Sequence, residues 1–155
     1  MTFLSKCSTD TVQSAASALK NGALVAFPTE TVYGLGVDAE NVQAIHRMYE
    51  LKGRPKDHPV IVHIGNFEEL DYWANEIPAY ARALAEKYWP GPMTLLLPRT
   101  KYALDAITGG QEIVGIRIPS HPIAQELLRE FHRLGGHGIA APSANRFGNV
   151  SPTSA

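Results

Sequence analysis

This 155-residue chain has only one cysteine, almost no excess of either charge, and no long apolar run. The single cysteine, Cys7, excludes an internal disulfide and a cysteine-rich zinc site, and it favours a reducing, cytoplasmic location. With 14 Lys+Arg, 15 Asp+Glu and a net charge of -1, bulk attraction to nucleic acid or anionic membranes is not expected. No apolar run reaches the roughly 18–20 residues of a membrane span, and residues 1–10 lack the apolar centre of a signal peptide. These absences predict a cytoplasmic protein with no membrane partner.

Common nucleotide, hydrolase and zinc motifs are missing as well. The sequence has no Gly-x-x-x-x-Gly-Lys-Ser/Thr phosphate loop and no Gly-x-Ser-x-Gly elbow. Its histidines do not recur at metal-ligand spacing, so a histidine-built zinc site is rejected. Glu30, Asp38 and Asp57 are the carboxylates nearest the candidate loops, but the sequence does not choose metal ligands among them, and these ligands stay unknown.

Short apolar segments separated by glycine and proline predict the fold. The composition, 45% hydrophobic and 19% charged, is typical of one globular domain with a real core. Periodicity predicts helices at 8–21, 42–51, 67–74, 79–88 and 121–131, and strands at 23–27, 60–64, 93–97, 113–118 and 138–141. The predicted buried stripe of the helix at 79–88 is Ala81, Leu84, Ala85 and Tyr88. Irregular alternation predicts an α/β (α+β) class with a single twisted mixed sheet flanked by helices.

The segment ALVAFPTETVYGLG, residues 23–36, organises the sequence. It begins as an apolar strand, stops at Pro28 and continues into a polar triplet and a glycine-rich turn. The side chains of Thr29 and Thr31 project to one side of an extended segment. This pattern is typical of a binding loop presented by a strand. The alternative is a strand, a turn and a second strand, in which the threonines satisfy local amides.

Two polar residues fall within apolar strands. Arg117 shares a strand face with Gly115, and a guanidinium there is costly unless it is paired. It either binds an anion such as carboxylate or phosphate, or faces water or pairs with an internal carboxylate. His63 shares its face with Ile61, and a structural role is favoured over a ligand contact.

Two further loops carry groups suited to a nucleotide. Lys52 and Arg54 point the same way in an extended basic loop, which suits a polyphosphate or, alternatively, plain solvation. After Pro142, Ser143 and Asn145 stand two residues apart. The same pattern of a proline followed by two spaced polar side chains occurs at residues 28–31.

An ordered set of motifs resembles one family. The motifs are PTETVYGLG at 28–36, KGRP at 52–55, the strand ending at His63, WPGPMTLLL at 89–97, GIRIPSHPIA at 115–124, and APSAN with SPT at 141–153. In this order they resemble the YrdC-like threonylcarbamoyl-AMP synthases, from the first helix to the last residue. The resemblance implies an open twisted sheet with a deep concave groove. It also implies that residues 1–155 form a single domain lacking the family's last C-terminal strands.

The resemblance implies a nucleotidyltransferase reaction. L-threonine, bicarbonate and ATP give threonylcarbamoyl-AMP and pyrophosphate, with Mg²⁺ as the expected cation. The product serves N6-threonylcarbamoyladenosine formation in tRNA, and a separate partner transferase attaches the group.

Site residues follow from the matched motifs. Thr31, His63 and Arg117 resemble the threonine-binding set, and Arg117 would hold the carboxylate. Six residues resemble the family's ATP-binding set, namely Lys52, Arg54, His58, Ser143, Asn145 and Ser151. His58 stands where the family commonly has asparagine. Lys52 and Arg54 are the predicted catalytic groups, since they would neutralise phosphate charge as pyrophosphate leaves, without a protein nucleophile.

Two other functions compete with this one. An RNA-binding module without catalysis would use the basic groove around residues 52–56. A carbamoyl-transfer domain of a larger maturation protein would be accompanied by cysteine-rich zinc segments, and none lies within these residues.

Overall fold

The computed structural model of the chain describes residues 2–3 and 8–155, so Cys7 lies outside the described residues. The helices are α1 (Thr9–Lys20), α2 (Val42–Lys52), α3 (Leu70–Trp73), α4 (Ala79–Tyr88), α5 (Asp105–Thr108) and α6 (Pro122–Arg133), with a 3-10 turn at Phe67–Glu69. The strands are β1 (Thr2–Phe3), β2 (Val25–Phe27), β3 (Gly34–Asp38), β4 (Val62–His63), β5 (Leu95–Pro98), β6 (Ile113–Arg117) and β7 (Ile139–Ala140). No helix in the described part has the length and apolar character needed to cross a membrane.

Helix boundaries follow the capping signals of the sequence. Ser8 caps α1 by accepting a hydrogen bond from the Thr11 amide at 3.3 Å. Asn41 caps α2 in the same way, through the Ala44 amide at 3.0 Å. Gly53 ends α2 in the left-handed conformation, with φ of 62°, which glycine adopts without a steric penalty. The basic loop therefore starts at a sharp, defined point.

The strands form one seven-stranded mixed sheet in the order β1-β2-β3-β7-β4-β6-β5. The pairs β1–β2 and β4–β6 are parallel, whereas β2–β3, β3–β7, β4–β7 and β5–β6 are antiparallel. In the β4–β6 pair, His63 stands opposite Arg117. The predicted α/β class and single mixed sheet are confirmed, and the sheet register already brings two candidate site residues together.

The buried apolar side chains of the described residues form two clusters. One joins α1 and α6 to the sheet, and its large members include Leu19, Phe27 and Phe131. The other packs Tyr49, Trp73 and the remaining helices against the central strands. Their burial is the main favourable term in folding, at roughly 25 cal/mol per Å² of apolar surface.

The segment after β2 differs from the binding-loop interpretation. Residues 34–38 form the buried strand β3, antiparallel to β2, so the strand–turn–strand alternative describes the backbone. Glycine is needed because a Cβ on Gly36 would lie 2.8 Å from Ile139 Cγ2 and 2.9 Å from Phe27 Cε1. The main interpretation took these glycines as turn signals, and only the strand–turn–strand alternative included the second strand.

Smaller differences concern element edges and one helix face. The structure adds α5 where no helix was predicted, and strands β4 and β5 differ from the predicted ranges 60–64 and 93–97. In α4, Ala81 and Ala85 are buried as predicted. The other half of that stripe was wrong, because Leu84 and Tyr88 are 38% and 49% exposed.

Candidate functional site

A cavity of about 200 Å³ collects residues that the sequence analysis selected separately. Its walls come from the β2–β3 turn, the segment before and within β4, the end of β6, and the loop after β7. The polar lining residues are Thr29, Thr31, Arg54, His63, Arg117 and Ser143. Thr31, His63 and Arg117, the predicted threonine set, thus share one cavity with Arg54 and Ser143 from the predicted ATP set.

The β2–β3 turn is built by one threonine and presents another. Thr29 Oγ1 donates to the Val32 carbonyl at 2.6 Å and accepts from the Thr31 and Val32 amides, each at 3.2 Å. Thr31 Oγ1 lies 3.0 Å from Thr29 Oγ1, so both hydroxyls are on one side, as predicted. Thr29 therefore closes the turn, and Thr31 carries the exposed hydroxyl beside the cavity.

Arg117 is buried and paired. Its side chain is 8% exposed; Nε donates to the Gly91 carbonyl at 3.0 Å, and Nη2 donates to the Glu30 carboxylate. Nη1 lies 3.4 Å from Thr31 Oγ1. Pairing with an internal carboxylate was one of the alternatives left open for this residue, and the same side chain also lines the cavity.

Glu30 was named in the sequence analysis only as a carboxylate near the candidate loops, without an assigned role. One carboxylate oxygen accepts from Arg117, and Oε2 accepts from the Ser120 amide at 3.0 Å. Burial alone would raise the pKa of Glu30, but the Arg117 and Ser120 hydrogen bonds and the Arg117 charge lower it overall. The sequence could not pair it with Arg117, because the two residues lie 87 positions apart.

His63 contributes a polar atom with no partner. Its side chain lines the cavity, the residue is 4% exposed, and Nδ1 has no hydrogen bond within the described part of the chain. Burial, followed by the Arg117 charge, lowers the pKa of His63 to about 4, so the ring is neutral at pH 7. Because buried polar groups are normally hydrogen-bonded, this nitrogen is a candidate contact for a ligand group.

Lys52 lies beside this cavity rather than in its wall. Its ammonium group donates to the carbonyl oxygens of Ser143 and Asn145, and the residue is 4% exposed. It lines a neighbouring cavity of about 250 Å³ together with Asn145. Burial, and then the Arg54 charge, lower the pKa of Lys52. In this structure the lysine anchors the loop that follows β7.

Arg54, which is partly exposed, lines the cavity, and His58 follows in an exposed part of the same loop. Arg54 Nη2 donates to the Pro59 carbonyl at 2.9 Å, and its guanidinium carbon lies 5.7 Å from the centre of the Phe147 ring. The His58 ring is edge-on to Phe147, with centroids 5.3 Å apart. Phe147, 44% exposed, is another residue that the sequence analysis did not select.

The last predicted residues form a hydrogen-bonded loop. Ser151 Oγ donates to Asn145 Oδ1 at 3.1 Å, and Asn145 Nδ2 donates to the Asn149 carbonyl at 2.8 Å. The Pro152 carbonyl accepts from the Tyr33 amide at 2.9 Å. Residues 143–152 thus pack on the β2–β3 turn.

Metal ligands are not grouped in this site. Nowhere in residues 8–155, where side chains are described, do three His, Cys, Asp or Glu side chains cluster around one point. A larger open groove of about 810 Å³ lies elsewhere and contains none of the predicted site residues; its charged lining is Lys56, Arg99, Lys101, Asp105 and Glu112.

The fold and the site together define the class of this protein, an α/β domain with an open mixed sheet and a polar cavity lined by its loops. Comparison with family models then gives its family. The Sua5/YciO/YrdC model, described as telomere recombination, matches residues 17–155. The chain belongs to this family.

Individual relatives agree with the family match. The threonylcarbamoyl-AMP synthases of Pyrococcus abyssi and Bacillus subtilis are 50% and 48% identical to it, each over 93% of this chain and 41% of the relative. The crystal structure of P. abyssi Sua5 complexed with L-threonine superposes with a TM-score of 0.92 at 46% identity, covering 100% of this chain and 44% of that one. The chain thus spans about two fifths of the length of these curated relatives.

Proposed function

We propose that this chain carries the catalytic domain of an L-threonylcarbamoyladenylate synthase. The observation that carries the proposal is the shared cavity, which joins Thr31, His63 and Arg117 to Arg54 and Ser143. The threonylcarbamoyl-AMP synthases that are 50% and 48% identical support it. The reaction joins L-threonine, bicarbonate and ATP into threonylcarbamoyl-AMP, with release of pyrophosphate and water.

The amino acid would occupy the inner end of the cavity. The Arg117 guanidinium suits a carboxylate, because charge-assisted hydrogen bonds in a desolvated site are strong. The Thr31 hydroxyl lies 3.4 Å from Nη1, and His63 Nδ1 has no hydrogen-bond partner among the described residues. Both groups would make further polar contacts with the amino acid. In this proposal the three residues orient the threonine nitrogen toward bicarbonate.

ATP would occupy the outer end. Arg54 lies there to neutralise phosphate charge, and Lys52 adds charge while holding the loop that carries Ser143 and Asn145. The Phe147 ring beside His58 offers an aromatic surface for a nucleobase. Ser151 completes the proposed set through its hydrogen bond to Asn145.

The proposed course needs no protein nucleophile. Threonine nitrogen and bicarbonate first form a carbamate with loss of water, and a carbamate oxygen then attacks the α-phosphorus as pyrophosphate leaves. Positioning and charge neutralisation by Arg54 and Lys52 would supply the rate enhancement.

Mg²⁺ fits this site as a cation brought by the nucleotide. Since no acidic cluster is present among residues 8–155, we propose that phosphate oxygens and water hold most of its coordination sphere. It would neutralise phosphate charge together with Arg54.

The biological partners are part of the same proposal. The product would pass to a separate transferase that modifies tRNA, so tRNA is an indirect partner, and the site of action would be the cytoplasm, where ATP and tRNA meet. Direct RNA binding is the weaker candidate because the net charge is -1. A carbamoyl-transfer role is less supported, since the named relatives at 50% and 48% identity are synthases.

A pyrophosphate-release assay tests the proposal. The full-length protein incubated with ATP, bicarbonate and Mg²⁺ should release pyrophosphate only when L-threonine is added. Threonine-independent release, or none, would contradict it. Tight and salt-sensitive RNA retention without turnover would favour the RNA-binding candidate instead.

A further inference from the structure

Glu30 has no part in the proposed chemistry, yet it holds the central arginine of the cavity. The carboxylate accepts from Arg117 Nη2 on one side and from the Ser120 amide, at 3.0 Å, on the other. It therefore ties the β2–β3 turn to the end of β6. The Glu30 side chain is 21% exposed and does not line the cavity, so it acts on a ligand through Arg117.

The hydrogen bonds around Arg117 leave one edge free for a ligand. Nε is used by the Gly91 carbonyl at 3.0 Å, and Nη2 by Glu30. Nη1 faces Thr31 Oγ1 at 3.4 Å, a long contact on the cavity side. Glu30 and Gly91 thus fix the plane of the guanidinium and turn Nη1 toward the cavity.

Glu30 also changes the charge that a ligand meets. An unpaired buried guanidinium would attract any anion, and phosphate carries more negative charge than a carboxylate. Paired with Glu30, Arg117 forms a locally neutral group in which only the oriented donor edge remains for recognition. Arg54, at the outer end, has no carboxylate within salt-bridge distance in the described part of the chain. The cavity therefore has one compensated and one uncompensated arginine.

We propose that Glu30 is a positioning and selectivity residue: it orients Arg117 for the amino acid carboxylate and, by neutralising it, directs phosphate groups to the Arg54 end. This inference rests on the proposed function for the identity of the two ligands. It explains how two anionic groups can be sorted within a single cavity of about 200 Å³.

Competition between L-threonine and inorganic phosphate tests the inference. Calorimetric titration of threonine is done with and without excess phosphate, on the full-length protein. For the wild type we expect no loss of threonine affinity in phosphate. For Glu30→Gln, which keeps the shape but removes the charge, we expect phosphate to weaken apparent threonine affinity about tenfold, since charged groups form the stronger hydrogen bonds.

Glu112→Gln is the matched control. Glu112 also pairs with an arginine, at 3.2 Å from Arg99, but it lies at the separate 810 Å³ groove. Its competition behaviour should equal that of the wild type. If Glu30→Gln behaves like Glu112→Gln, or if phosphate already competes in the wild type, the inference is overturned.

The wild-type measurement tests the inference even when a variant does not fold. Phosphate competition in the wild type would contradict the inference by itself. Failure of the proposed function is a separate result, namely no threonine binding by the wild type. In that case phosphate titrated alone still tests Glu30. It should bind Glu30→Gln more tightly than the wild type, and equal affinity would overturn the inference.

Discussion

At the scale of single residues, the proposed function assigns Arg117 to the amino acid and Arg54 to the nucleotide, and both line the same cavity. Arg117→Ala should raise the threonine dissociation constant about 100-fold, which corresponds to roughly 2.7 kcal/mol for a lost charge-assisted contact. ATP affinity should change much less. Arg54→Ala should show the opposite bias, because Arg54 lies at the outer end. Calorimetry with each ligand measures both.

Arg99→Ala serves as the control for these arginine variants. Arg99 also pairs with carboxylates, at 2.6 Å from Asp105 and 3.2 Å from Glu112, but it lines the separate groove. It should leave both affinities unchanged. Equal losses of threonine and ATP affinity in Arg117→Ala would remove the assigned role of that residue.

His63 makes stability depend on pH. Its pKa is lowered from 6.5 to about 4 in the folded chain, so between these values the unfolded state binds the extra proton. Stability from this group is therefore fully present above about pH 6.5 and is lost as pH falls toward 4. From the size of the pKa shift, we expect the unfolding free energy to fall by about 3 kcal/mol over this range.

Denaturant unfolding between pH 4 and 7 measures this effect. His63→Gln should flatten the curve, because glutamine does not titrate. His46→Gln, at a partly exposed position, should keep it. A His63→Gln curve as steep as that of the wild type would show that another group causes the acid sensitivity.

At the scale of elements, the last turn of α2 and the loop after β7 form one unit through Lys52. Lys52→Met keeps the aliphatic chain but leaves the Ser143 and Asn145 carbonyls without their donor. We expect a loss of about 1–3 kcal/mol in unfolding free energy, the cost of unsatisfied buried polar groups. Amide hydrogen exchange at residues 144–147 should become faster.

Lys56→Met is the matched control, since Lys56 is exposed in the same basic loop. It should change neither stability nor exchange in the 144–147 segment. Unchanged exchange in Lys52→Met would mean that the loop is held by its other bonds, such as that from the Ala144 amide to the Tyr33 carbonyl at 2.8 Å.

The strands and helices themselves were predicted unevenly. The helix at 79–88 was predicted with its observed limits, because apolar periodicity is a local property of the sequence. Strand β3 was left as one of two alternatives because Gly36 fits close packing against Phe27 and Ile139, which only the neighbouring strands create. The exposed Leu84 and Tyr88 show that periodicity alone does not fix how wide a buried stripe is.

At the scale of the whole molecule, the part of the chain that the structure describes has one mixed sheet and two apolar clusters, and the candidate cavity lies where distant loops meet. The candidate residues were selected from ordered motifs, and the cavity unites several of them. Their roles stay predictions, as does the absence of the family's last strands from residues 1–155. Lys52 was expected with the phosphate groups, and the structure gives it an additional, structural task.

The sequence by itself determined the class of fold, the balanced charge and the family resemblance, because composition, periodicity and motif order are properties of the chain. Only the tertiary structure decided that Glu30 pairs with Arg117, 87 positions away, and that Lys52 holds a loop more than 90 positions away. Arg117 ends β6, and the partners of Lys52 follow β7, so these pairings depend on how the strands are arranged in the sheet. The 28–36 segment therefore has two parts in the structure. It forms the turn and the start of β3 in the β2–β3 hairpin, and it lines one wall of the cavity, because distant segments pack beside a locally ordinary turn.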